Sequence, residues 1–344
     1  MNNKSSVSII IPVFNEAAIL EKSMQILNDF LVSVHKDFEW EIIMINDGST
    51  DGTKIIADKC AENYKHLRIF HHSKNMGLGM ALKTGFVNAK GEYIVVIDVD
   101  LSYSPEHITA LVNKIKETEA DIVVASPYLK GGKVSMVPFS RRVMSRFVNF
   151  FMSCVAQTNL RTFTGMVRIY RRAFISTLDL KATSQAINPE IIYKAIILRA
   201  RIEEIPAHLD WSFLRSFGMK RSSSMRIFSG MLKGLMSAFI FRPYAFFLTV
   251  GFMLLMISAY IIIWIFINVF SILPDIIVEA DAITGPFSLA VAEVFNARPY
   301  SFLIGGITLI VGLQFLSTGF LSLQNKRNFE ELFHINTSLL KKGN

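Results

Sequence analysis

Cysteine is nearly absent. Cys60 and Cys154 are the two in 344 residues; they form no C-x-x-C pair and read as ordinary reduced thiols, not as a disulfide framework or a dithiol redox site. Charge is absent from two long stretches: Pro243 to Pro274 and Pro299 to Asn325 contain no Asp, Glu, Lys or Arg. Each exceeds the ~20 apolar residues that cross a bilayer as a helix. Acidic residues are also missing from Trp211 through Pro274. At the N-terminus the only apolar run, Val7 to Val13, is short and soon followed by Asn15 and Glu16, so no secretory signal is expected there. A hydrophobic content of 51% is high for a soluble enzyme and puts part of the chain in lipid.

The charged residues that are present orient those stretches. Arg215, Lys220, Arg221, Arg226, Lys233 and Arg242 precede the first, and Lys326, Arg327, Lys341 and Lys342 follow the second. The connection between them carries Asp275, Glu279, Asp281 and Glu293 against a single Arg298. Positive flanks stay on the cytoplasmic side, so the expectation is a multi-pass protein of the cell (inner) membrane with both chain ends cytoplasmic. The predicted organisation is a cytoplasmic domain over 1–210, a basic amphipathic juxtamembrane segment over 211–242, and transmembrane helices over 243–274 and 299–325. An extracytoplasmic loop over 275–298 joins the helices, and a cytoplasmic tail fills 326–344. The net charge of +8 gathers near the membrane, pointing to anionic membrane lipid and not to nucleic acid. "MKRSSSMRIFSGMLKGLMSAFIF", Met219 to Phe241, is expected to lie at the interface. "SRRVMSRFVNFFMSCVAQ" either lies there too or packs on a sheet.

From Val7 to about residue 125 strands and helices alternate, which argues a parallel sheet wrapped by helices. The candidate strands are "VSIIIP", "WEIIMIN", "LRIFHH", "YIVVID" and "DIVVAS"; the candidate helices are Ala17 to Val34, Thr53 to Asn63, Leu78 to Ala89 and Pro105 to Thr118. The fourth strand delivers Asp98 and Asp100 to its carboxyl end, where ligands collect in open α/β sheets. Like charges one residue apart call for a cation. An EF-hand loop is excluded, because Tyr103 and Thr109 stand where it needs Gly and Glu. A phosphatase using Asp98 as a covalent nucleophile matches this segment alone, and two carboxylates that merely solvate a strand end remain a rival for it. "GLGMAL" follows the third strand, not the first, which argues against a nicotinamide cofactor. His71 and His72, adjacent on a strand, point to opposite faces and read as ordinary strand-end histidines. Trp211 is open to two roles, a stacking platform for a sugar or an anchor at the lipid headgroups.

Four segments in order, "IIIPVFNE", "INDGSTDGT", "KNMGLGMALKTG" and "DVDLSYSPE", resemble the successive signatures of family 2 glycosyltransferases with the GT-A fold. "GLGMA", "RRVMSR" and "TGMVRIYRR" are similar to the dolichol-phosphate mannose synthase branch, and the two charge-free stretches to the spans of bacterial polyprenyl-phosphate glucosyltransferases. The resemblance implies an α/β, Rossmann-like, mostly parallel GT-A catalytic domain, followed by interfacial helices and a two-helix transmembrane hairpin. It implies a nucleotide-sugar donor (UDP- or GDP-) held by Pro12, Phe14, Glu16, Asp47 and Asp98, and Mg²⁺ or Mn²⁺ held by Asp98 and Asp100. It implies a polyprenyl or dolichyl phosphate acceptor met by Arg141, Ser145 and Arg168, in the making of a cell-envelope glycan. Asp98, Asp100 and Arg141 are the residues expected to carry catalysis.

The chain departs from the family where Ser102 replaces a Gln, Pro127 replaces the Arg of "SRY", and Thr162 or its neighbour replaces an Asp. Arg142, Arg146 and Lys130 stand near enough in sequence to substitute in the phosphate clamp. No Q-x-x-R-W motif of the processive members is present. A lipid phosphate needs no general base, because its second pKa is about 6. Transfer to a lipid-linked or protein glycan and a weakly active scaffold that recruits a flippase are the alternatives; a homo-oligomer is left open.

Overall fold

The computed structural model describes residues 4–156, 158–218, 243–279 and 285–342. They fall into two compact units, which divide between residues 238 and 239. The segment 219–242, on which most of the expected juxtamembrane helix falls, lies outside the described residues.

In the first unit the chain runs β1 (Ser6–Val13), α1 (Ala17–Ser33), β2 (Glu39–Asn46), α2 (Thr53–Asn63), β3 (Leu67–His71), α3 (Leu78–Asn88), β4 (Tyr93–Val96), α4 (Glu106–Thr118) and β5 (Ile122–Ser126). These are the predicted strands and helices, shifted by a residue or two at their ends. Then follow β6 (Lys133–Ser135), α5 (Phe139–Ala156), β7 (Arg168–Arg171), α6 (Arg172–Ile175), α7 (Ile187–Ile197), β8 (Ile202–Pro206), β9 (His208–Asp210) and α8 (Ser212–Ser216). The main sheet has the order β3-β2-β1-β4-β7-β5-β8. Its strands pair in parallel except β7, which is antiparallel to both neighbours. β6 and β9 form a small parallel sheet of their own.

Strand period sorts the core into two layers. Val7, Ile9, Ile11, Ile42, Met44 and Val95 pack with α1, α2 and α4. Their sequence neighbours Ile10, Ile43, Ile45, Ile94 and Val96 face the other way, toward α3, α5 and α7. Helices cover both faces, which is why these strands are continuous apolar runs and not alternating ones. The Val148 and Met152 side of α5 is buried on the sheet while Phe139, Val143, Phe147 and Phe150 are exposed, so its apolar residues divide between two surroundings.

The second unit is helical: α9 (Pro243–Glu279), α10 (Pro286–Ala297) and α11 (Pro299–Lys342). Within α9 and α11, Pro243–Ile276 and Pro299–Phe329 are long and apolar enough to cross a membrane, and only 17% of the most apolar window of each is buried. A core helix of a soluble protein would be mostly buried. α9 and α11 run antiparallel and approach closely at glycines. A Cβ on Gly251 would lie 2.9 Å from the Leu316 nitrogen, and one on Gly312 3.2 Å from the Leu255 nitrogen. Ser258 adds a buried hydrogen bond to the Gly305 carbonyl at 2.9 Å. Small residues and interhelical hydrogen bonds join helices where no hydrophobic effect can.

Candidate active site

The carboxyl ends of β3, β2, β1 and β4 lie side by side, and the loops that follow the first three are laced together. At the end of β1, Asn15 takes a left-handed conformation (φ 55°). Its amide donates to Ser49 Oγ at 2.9 Å, and its side-chain oxygen accepts from the Thr50 amide at 2.8 Å. The Glu16 amide donates to Thr53 Oγ1 at 2.9 Å. This fixes Pro12, Phe14 and Glu16 beside the turn after β2, with Phe14 42% exposed.

Asp47 is 4% exposed and organises the third loop. Its Oδ1 accepts from His72 Nδ1 at 2.7 Å and from the Met76 amide at 2.9 Å, and its Oδ2 accepts from the Gly77 amide at 2.8 Å. His72 Nε2 meets Thr84 Oγ1 at 2.9 Å. His72 is thus the residue that aims Asp47, a role its position at a strand end did not disclose. Only the pairing of distant residues makes it visible. Gly77 (φ +88°) is required here, since a Cβ would sit 2.4 Å from the Thr183 carbonyl oxygen. The G-L-G turn is therefore wedged against the loop before α7, and Gly79 donates its amide to the same carbonyl at 2.8 Å.

That loop is held in turn by Glu190 of α7. Its carboxylate accepts from the Lys181 and Ala182 amides at 2.8 Å each and pairs with Lys194 at 2.6 Å. Burial alone would raise the Glu190 carboxyl, but Lys194 and the amides hold it below its ordinary value. The unfolded-state value is about 4.3. A depressed folded-state pKa stabilises fully above that value, and the gain is lost as pH falls through the folded pKa. Glu190→Gln is therefore expected to lower the melting temperature at neutral pH, by the equivalent of about 1–3 kcal/mol. The gap to wild type should narrow below about pH 4, as a thermal melt series across pH will show.

Asp98 lies on the wall of a cavity of about 460 Å³ between the sheet, α5, the loop before α7 and the segment after β9. Asp100 is fully buried, and its Oδ1 accepts from the Ser102 amide at 2.9 Å. Leu101 between them is left-handed (φ 48°). A bulky residue holds that conformation only when its surroundings over-determine it. Burial, with the Asp98 charge beside it, pushes the neighbouring Tyr103 phenol well above its ordinary value, so it stays a donor. Among the described residues no group of three or more His, Cys, Asp or Glu side chains could enclose a metal. Asp98 on the cavity wall, with the Asp100 carboxylate buried two residues behind it, offers oxygen donors of the kind that suit a hard divalent cation keeping water or diphosphate oxygens as its other ligands.

Opposite Asp98, α5 presents Arg141, Ser145 and Asn149 to the cavity, four residues apart. Asn149 was not singled out from sequence, although its helical spacing from Arg141 and Ser145 was a usable signal. Its side chain ties α5 to the "TG" loop, accepting from the Phe163 amide at 2.7 Å and the Thr164 amide at 3.2 Å. Pro127 and Thr162 also line the cavity. Thr162 Oγ1 meets Ser126 Oγ at 2.8 Å, and the Arg161 and Thr162 amides donate to Glu204.

Arg168 requires a correction. A direct phosphate contact was expected, but the side chain is fully buried behind the wall. Its Nη1 donates to the Asn188 carbonyl at 2.9 Å and its Nη2 to the Phe163 carbonyl at 2.5 Å. Fully buried, it props the first turn of α7 at Asn188 and the loop at Phe163.

Three comparisons bear on this site. Over 140 residues the chain is 36% identical to the dolichol-phosphate mannosyltransferase of Pyrococcus furiosus, a match covering 41% of this chain and 38% of that protein. Over 232 residues it is 27% identical to the polyprenol monophosphomannose synthase of Mycolicibacterium smegmatis, covering 65% and 84%. In fold it is similar to glucosyl-3-phosphoglycerate synthase from Mycobacterium tuberculosis, solved in complex with Mn²⁺, UDP and glucosyl-3-phosphoglycerate. The TM-score is 0.50 at 16% identity, over 68% of this chain and 80% of that one. Residues 8–178, which contain the three laced loops, the carboxylate pair and the arginine helix, match the model of Glycosyl transferase family 2. Residues 8–178 of this chain are a family 2 glycosyltransferase domain.

Proposed function

We propose that this glycosyltransferase moves a hexose from a UDP- or GDP-linked donor to polyprenyl or dolichyl phosphate at the cytoplasmic face of the membrane, with inversion at the anomeric carbon. The observation that carries this reading is the make-up of the cavity wall. Among the described residues lining it, Asp98 is the only acid and no histidine occurs, while Arg141, Arg142 and Ser145 do. Transfer to a hydroxyl requires a group to take the proton, whereas a phosphate arrives ionised. Alignment and charge neutralisation are then enough. The names of the Pyrococcus and Mycolicibacterium relatives support a lipid-phosphate acceptor and favour mannose.

In this reading Pro12, Phe14, Glu16 and Asp47 surround the nucleoside, and Asp47, aimed by His72, is the acceptor for a base N–H. Asp98 and Asp100 hold Mg²⁺ or Mn²⁺, which when bound neutralises charge on the departing diphosphate. Arg141 and Ser145 grip the acceptor phosphate on the far side of the cavity and orient an oxygen toward the sugar. Attack from the side opposite the leaving group accounts for inversion. The apolar helices anchor the domain, and their basic flanks place both chain ends in the cytoplasm. Incubating the full-length chain with labelled UDP- and GDP-hexoses and polyprenyl phosphate is expected to yield a lipid-extractable glycosyl phosphate from one donor. No such product from any donor would overturn the proposal.

A further inference from the structure

Trp211 is 9% exposed and lines the cavity, which suits neither of the roles its sequence position suggests. A headgroup anchor needs an exposed ring. A sugar platform needs an open ring face, yet the Arg141 guanidinium carbon lies over this one, 4.6 Å from the ring centroid. We infer that Trp211 is a positioning residue for Arg141: its ring holds the guanidinium by cation–π stacking so that the fork is already presented to the acceptor phosphate. This inference rests on the reading of Arg141 as the phosphate clamp.

The physical argument has two parts. Stacking engages the face of a guanidinium and leaves the N–H groups at its edge able to donate in the plane, as bidentate phosphate recognition requires. An arginine without such a support loses rotamer freedom when it grips a ligand, and the indole removes part of that loss in advance.

The backbone that carries the indole is tethered on both sides. The Trp211 amide donates to the Ser135 carbonyl at 3.3 Å, and the Asp210 amide donates to the Ser102 carbonyl at 2.8 Å. The Ser102 amide in turn donates to Asp100. A short chain of hydrogen bonds thus runs from the Asp100 carboxylate through Ser102 to Asp210, the neighbour of the residue beneath Arg141.

The test is equilibrium binding of farnesyl phosphate to the full-length chain in detergent, for wild type, Trp211→Phe, Trp211→Leu, Arg141→Ala and the double variant Arg141→Ala/Trp211→Leu. Arg141→Ala is expected to weaken binding about tenfold or more. Trp211→Leu should weaken it about three- to tenfold and Trp211→Phe less, because a ring face survives. In the Arg141→Ala background, Trp211→Leu should add less than about twofold, the non-additivity that marks a residue acting through another. An undiminished Trp211→Leu effect in that background, or no effect in the wild-type background while Arg141→Ala weakens binding, overturns the inference and spares the clamp. An Arg141→Ala variant that binds as wild type overturns the clamp, and the inference with it. Because Trp211 packs in the core, the cycle is read as a difference between backgrounds, which cancels any loss of folded protein common to both.

Discussion

Asp100→Asn is expected to lower kcat/KM for sugar transfer on the order of 10²–10³-fold while the protein stays folded. Asn retains a carbonyl oxygen that can accept from the Ser102 amide, so the left-handed turn at Leu101 keeps its closing hydrogen bond. The variant also creates no cavity, since the two side chains are nearly the same size. What disappears is one of two negative charges, and with it much of the affinity for a divalent cation. A melt separates that loss from a folding defect. A bound cation stabilises the folded state in proportion to ln(1 + [L]/Kd), so Mn²⁺ should raise the wild-type melting temperature and raise that of Asp100→Asn much less. Without metal the variant should melt at or above wild type, because repulsion from Asp98 is relieved. Wild-type turnover by the variant in the presence of a chelator would remove the assigned role.

Polyprenol offered in place of polyprenyl phosphate is expected to give no product above background. The alcohol would have to lose a proton, and the one carboxylate on the described cavity wall, Asp98, is in this reading committed to the cation. Arg141→Ala should raise KM for polyprenyl phosphate about tenfold or more and leave nucleotide affinity nearly unchanged, because a charge-assisted contact to the acceptor is lost and none to the donor. Arg141→Lys should recover only part of the loss, since an ammonium lacks the planar fork and stacks less well on Trp211. Equal rates with alcohol and phosphate would end the base-free mechanism. An Arg141→Ala variant with unchanged KM would move the clamp to Arg142, Arg146 or Lys130.

The arginine helix shows how far spacing carries an argument and where it stops. Arg141 and Ser145 share a helix face by periodicity, and the structure does bring both to the cavity that Asp98 lines. Arg168 looked equivalent because a motif places it near phosphates, yet its strand runs antiparallel through the middle of the sheet and buries the side chain. Strand direction is a long-range property, and no local pattern encodes it.

The same division runs through the molecule. The first five strands and four helices were legible because each apolar run is bounded by its own turn residues, and period-2 alternation separates two core layers within a few residues. The charge-free stretches were legible because length and composition alone decide whether a helix can span a bilayer. The pairing of β6 with β9, the insertion of β7 between β4 and β5, the His72–Asp47 contact and the Arg141–Trp211 stack were not legible. Each joins residues 25 or more apart, through strands of three or four residues or through single side chains. Such short pieces carry too little local preference to declare a structure, and only the packing of the remaining chain around them determines which partners meet.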